Sequence, residues 1–196
     1  MEPKEEEIQS VVRSMRSLNS SVRPNNLFRK RMTYEDYGHL CADSLLPELV
    51  EQPARIASQW AGSTLNSEAA ARQLAILCLA FHQFCHIGLL SDEAGQRVLQ
   101  GMMSRFDERF PGFSSDRFTS EATTAYLRAA ASDIKKRSKS ESFPTLVPTA
   151  IARIAGLTQS DPHWHSASAT LYSILEVILE TAEPSLVRTQ KHAKLV

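Results

Sequence analysis

Glycine is scarce in this chain: seven occur in 196 residues, where average usage of roughly 7% would give about fourteen. Phosphate-cradling loops and tight β-hairpins both depend on glycine, so the shortage argues against a nucleotide-binding α/β fold and against an all-β fold. Cysteine is scarcer still. Cys41, Cys78 and Cys85 make an odd set of three. Cys78 and Cys85 fall seven apart within one predicted helix, which sets their Cα atoms about 10 Å apart, too far for a disulfide. Reduced, buried thiols follow, with an intracellular setting. Long apolar runs are missing too. The longest, Leu74 to Phe81, has eight residues, against about twenty for a membrane-spanning helix. The opening MEPKEEEIQS is acidic, unlike the basic and apolar start of a secretory signal. The expected setting is therefore cytoplasmic or nuclear, with a virion also allowed.

Catalytic signatures are absent as well. The sequence has no G-x-S-x-G elbow, no GxxxxGK[ST] and no G-x-G-x-x-G. Glu176 lies four residues from both Tyr172 and Glu180, a spacing that a solvated helix face explains. The reading is a non-enzyme with no cofactor.

What the chain does have is helical patterning. Apolar residues make up 42% and charged residues 22%, ordinary for a globular domain. Ile8, Val11, Val12, Met15 and Leu18 form a helical stripe behind Glu5, Glu6 and Glu7, followed by a break over Asn19 to Asn26. This stripe is expected to dock on its own core, with exchange between protomers as the alternative. Thr33 and Asp36 resemble a capping box opening a helix through Tyr37, Cys41 and Leu45, which Pro47 kinks or ends. Pro53 suits the first turn of a short helix closed by Gly62.

The core is expected at Glu68 to Phe110, in two long helices. The first runs from Ser67 to Ile87 with Leu74, Leu77, Cys78, Phe81, Phe84 and Cys85 facing inward. The second is capped by Ser91 and carries Val98, Leu99, Met102, Met103, Phe106 and Phe110. Later helices hold Ala122 to Ile134, Pro148 to Ala155, and Leu171 to Leu179, the last ending at Pro184. No segment reads as a strand. The expected fold is all-α: a compact multi-helix bundle of about six to eight helices with a mobile N-terminal arm and a short C-terminal tail. Residues 1–32 form the amphipathic helix and basic arm. Residues 33–183 form the core, interrupted by a basic linker at 135–145, and residues 184–196 form a basic tail.

Cys78, His82 and His86 are spaced i, i+4 and i+8, so adjacent members can share an ion. The outer pair is about 12 Å apart, too far for one tetrahedral zinc. The expectation is no metal: a buried thiol beside two histidines. His163 and His165 flank Trp164 and supply too few ligands.

Charge is the more telling pattern. Formal net charge is zero, yet thirteen of the twenty-two basic residues fall in three segments. Arg13, Arg16, Arg23, Arg29, Lys30 and Arg31 lie between Ile8 and Tyr34 with no acid among them. Lys135, Lys136, Arg137 and Lys139 form a second group, and Arg188, Lys191 and Lys194 a third. Arginine makes bidentate phosphate contacts, and Phe28 and Tyr34 are placed to stack on bases. The nucleic-acid-binding set is therefore Arg13, Arg16, Arg23, Arg29, Lys30, Arg31, Lys135, Lys136, Arg137 and Lys139. The KKRSKSES segment also resembles a nuclear-import or phosphorylation sequence at Ser138, Ser140 and Ser142.

The function expected is a self-associating, non-catalytic binding protein whose anionic partner is RNA or another anionic macromolecule, as in a small nucleocapsid-type or RNA-associated regulatory protein. The alternative is a helical adaptor that holds another protein in an inter-helix groove. A further alternative is a helical enzyme or metal protein using His82 and His86.

Overall fold

A computed structural model describes residues 30–60, 67–86, 89–135 and 143–196. The expected N-terminal stripe and the basic residues Arg13, Arg16, Arg23, Arg29, Lys136, Arg137 and Lys139 lie outside them, as do Phe28, Gly62 and the three serines of the linker.

The architecture is the expected all-α bundle. Helix α1 (Tyr34–Leu45) opens with the capping box: the Thr33 hydroxyl accepts from the Asp36 amide at 3.0 Å, and the Asp36 carboxylate accepts from the Thr33 amide at 3.2 Å. Pro47 ends the α-helical geometry, as expected, with Leu46 as the C-cap of α1, but the chain continues in helical form. Pro47 carries no amide hydrogen to give to the preceding turn, and the helix widens into a π segment (Leu46–Glu51), closed by the Gln52 amide donating to the Pro47 carbonyl. Helix α2 (Gln52–Trp60) follows.

Helix α3 (Ser67–His86) is the centre of the molecule. It packs against the π segment, α2, and four later helices: α4 (Asp92–Arg109), α5 (Arg117–Lys135), α6 (Leu146–Ala155) and α7 (Trp164–His192). The sequence pattern suggests one core-facing stripe, but every residue from Gln73 to His82 is buried. Ala75, Ile76, Leu79 and Ala80 are as inaccessible as Leu74 and Leu77. An eight-residue apolar run has no polar face, so the helix is stable only when surrounded. Phe84 and Cys85, expected inside, are half-buried where the helix leaves the core.

Helices α1 and α4 run parallel and pack closely. Glu35 meets Arg97 and Asp43 meets Arg105, the same sequence offset at both ends of the contact. Ser91 caps α4 through the Ala94 amide, as expected. Gly156, at φ 67°, closes α6 in the left-handed region that glycine occupies without a Cβ penalty.

The start of α6 is capped from a distance. Asp133, on α5 and 4% exposed, accepts from the Thr145 and Leu146 amides at 2.8 Å each. Just before it, Phe143 takes the uncommon φ of 58° and packs edge-on against Phe81 at 5.2 Å. Both ends of the basic linker are thus fixed to the core.

Two expectations fail at the C-terminus. Helix α7 does not end at Pro184 but continues through it to His192. Proline removes one backbone donor, yet Ala182 and Leu186 on either side are buried, and that packing outweighs the loss. The last residues are not a tail. Ala193–Leu195 form strand β2, which pairs in parallel with strand β1 (Lys30–Met32). Met32 and Leu195 pack on the core, and the Val196 amide donates to the Met32 carbonyl at 3.1 Å.

Candidate functional site

The β1–β2 pair brings together cations that are 163 positions apart in the sequence. Arg31 is the Cα partner of Lys194, with both side chains exposed. Alternation along a strand explains this: Met32 and Leu195 turn inward, so their neighbours turn outward. Lys30 precedes Arg31 on β1, and Arg188 lies in the last turns of α7, leading into β2. The last residues of the first basic segment therefore meet the end of the third. Lys135 is the last residue of α5, and the rest of the second segment lies outside the described residues.

The helix-borne arginines are arranged differently. Arg97 makes a two-pronged contact with Glu35, at 2.7 and 2.9 Å. Arg105 meets Asp43 at 2.5 Å and also contacts Glu108. Arg109 bridges Glu51 at 2.7 Å and Glu68 at 3.1 Å. Arg72 meets Asp116 at 3.1 Å, and Arg117 meets Glu121 at 2.7 Å. Among the described residues, neither Arg31 nor Lys194 has a carboxylate within ion-pair distance. Paired guanidinium groups have their charge offset, whereas the cations of the strand pair keep theirs directed outward. Tyr34, a candidate base-stacking residue, is half-buried against the core with Arg97 5.8 Å from its ring centre, so one face is already covered.

A second polar site lies where α3 leaves the core. A cleft of about 220 Å³ is lined by His82, Gln83 and His86 from α3, and by Asp92, Gln96 and Met102 from α4, among others. The two imidazole centres are 4.3 Å apart, and each histidine is 5% exposed. Tyr37 of α1 meets the His86 ring edge-on at 6.1 Å. Among the described residues, His82 Nδ1 and His86 Nε2 are buried without hydrogen-bond partners. Burial holds both imidazoles below the usual histidine pKa range, and the neighbouring His86 pushes His82 down further.

Cys78 does not join the histidines. It is fully buried and lies near Tyr126 of α5, while the histidines line the cleft toward α4. Burial pushes the Cys41 and Cys78 thiols up to about 12 and Cys85 up to about 11, so all three are protonated at neutral pH. Among the described residues, no group of three or more His, Cys, Asp or Glu side chains converges to hold a metal ion. No helix among them is long and apolar enough to cross a membrane.

Sequence reasoning missed Gln96 and Met102 as neighbours of the histidines. No local signal marks them, because they come from the following helix. No family model, no curated protein and no solved structure matches this chain.

Proposed function

We propose that this protein is a non-catalytic helical binding protein whose partner is RNA, held through phosphate contacts at the strand pair. Arg31, Arg188 and Lys194 make the first contacts, and the remaining basic residues of the arm, Arg13, Arg16, Arg23, Arg29 and Lys30, extend them. The observation that carries this reading is the pairing of Arg31 with Lys194, two exposed cations brought side by side across 163 positions of sequence and, among the described residues, without carboxylate partners. Clustered cations gain affinity by releasing condensed counterions, and arginine adds bidentate contacts to phosphate oxygens. The rigid bundle supplies the platform, and self-association adds avidity by setting several such patches side by side.

The test is fluorescence anisotropy of a labelled oligouridylate over a range of salt concentrations. Affinity is expected to fall steeply as salt rises. Arg31→Glu with Lys194→Glu is expected to weaken binding more than tenfold and to flatten the log–log salt slope by about 1.4, the value for two phosphate contacts on a single strand. Arg117→Glu, a change at an exposed and already paired arginine, is expected to leave binding intact. Salt-insensitive binding, or equal binding by the double variant, defeats the proposal. Capture of a protein partner that ignores salt would favour the adaptor reading instead.

A further inference from the structure

We propose that His82 and His86, with the thioether of Met102 across the cleft, bind a single Cu(I) ion. The inference is independent of RNA binding. It begins with two buried nitrogens, His82 Nδ1 and His86 Nε2, that no group among the described residues satisfies. Buried polar atoms normally find partners, and leaving one without costs about 1–3 kcal/mol. Two such atoms on rings 4.3 Å apart, one helical turn from each other, are a pair that a shared ion would satisfy.

The chemistry of the surroundings selects the ion. Each neutral imidazole carries one proton and one lone pair, so the unpartnered His82 Nδ1 and His86 Nε2 can both serve as donors when the proton sits on the other ring nitrogen. Met102 comes from the opposite helix, is 1% exposed and lines the same cleft. Two neutral imidazoles and a thioether form a soft, uncharged donor set, which suits Cu(I). Structural zinc takes four protein ligands, and catalytic zinc takes three, commonly with a carboxylate or thiolate among them. No third His, Cys, Asp or Glu converges here among the described residues. Asp92 and Gln96 stand along the cleft that gives the ion its way in.

The experiment is an anaerobic titration of the full chain with Cu(I) held by bicinchoninate, read by loss of the chelate colour. The wild-type chain is expected to take one equivalent. His82→Gln and His86→Gln are each expected to weaken uptake at least tenfold, Met102→Leu to weaken it less, and Cys85→Ser to leave it unchanged. X-ray absorption of the loaded wild-type chain is expected to show nitrogen neighbours with one sulfur, and this reading does not depend on any variant folding. No uptake by the wild type overturns the proposal. So does loss of uptake in Cys85→Ser, an all-sulfur spectrum, or unchanged uptake by a folded His82→Gln, His86→Gln double variant.

Discussion

Gly38 of α1 and Gly101 of α4 each face the backbone of the opposite helix, with no side chain between them. A methyl group on Gly38 would collide with the Val98 carbonyl oxygen and lie 3.0 Å from the Met102 nitrogen; one on Gly101 would collide with the Glu35 carbonyl and lie 2.9 Å from Glu35 Cα. All of these atoms belong to main chain and cannot swing aside. Alanine in a helix interior normally stabilises relative to glycine by roughly 0.5–1 kcal/mol. At these two positions the sign reverses. Gly38→Ala and Gly101→Ala are each expected to cost about 3 kcal/mol in urea unfolding, the upper part of the range for overpacked cores. Gly95, also in α4, has open space where a methyl group would sit, with nothing within 4 Å, so Gly95→Ala is expected to stabilise. Equal responses at all three glycines would contradict the close helix contact.

Removing the remote cap on α6 provides a second test. Asp133→Ala leaves the Thr145 and Leu146 amides without an acceptor in a buried setting. The expected loss is about 1–3 kcal/mol. Hydrogen exchange is expected to quicken at those two amides and through the first turn of α6, while amides in α1 and α4 slow or quicken only with global stability.

Acid should destabilise the metal-free protein through the two cleft histidines. Burial depresses both, whereas in the unfolded chain they titrate near 6.5. As pH falls below about 6.5 the unfolded state takes up protons that the folded state refuses, so stability is lost on going down in pH. Each histidine contributes a slope of up to about 1.4 kcal/mol per pH unit. Urea unfolding at pH 7.5, 6.5 and 5.5 should show the decline, and a His82→Gln, His86→Gln double variant should flatten it. The same decline in the double variant would assign the acid sensitivity elsewhere.

Thiol alkylation reports on core packing. Cys41 and Cys78 are buried, with thiols pushed up to about 12. Iodoacetamide at pH 8, followed by mass spectrometry, is expected to leave both unmodified in the folded chain and to label both in urea. Cys85, half-buried and pushed up to about 11, is expected to react slowly. Rapid labelling of Cys78 without denaturant would mean that α3 is less enclosed than its burial indicates.

Local signals are legible in the sequence. Thr33 with Asp36, Ser91 and Gly156 each mark a helix end through contacts made within one turn, and all three act as expected. The apolar run at Leu74 correctly locates the centre, although periodicity alone does not show that α3 is surrounded on all sides. Features built from distant parts of the chain stay hidden. Strands of three residues carry no usable alternation, so the pairing of Arg31 with Lys194 has no signature. Pro184 reads as a terminator because the buried neighbours that hold the helix together are known only once the bundle forms. Gly38 and Gly101 count as part of a glycine shortage, yet their meaning lies in how closely two helices approach. His82 and His86 are visible as a pair, while Met102 opposite them is not.

The parallel union of Lys30–Met32 with Ala193–Leu195 has a mechanical consequence. Tension applied through the leading end of β1 and the trailing end of β2 pulls along both strands in opposite directions. Their backbone bonds are then loaded in shear, all at once, and do not open one after another like a zipper. The small two-stranded tie acts as a clasp, and α1 and α7 bear no stretching force until it slips.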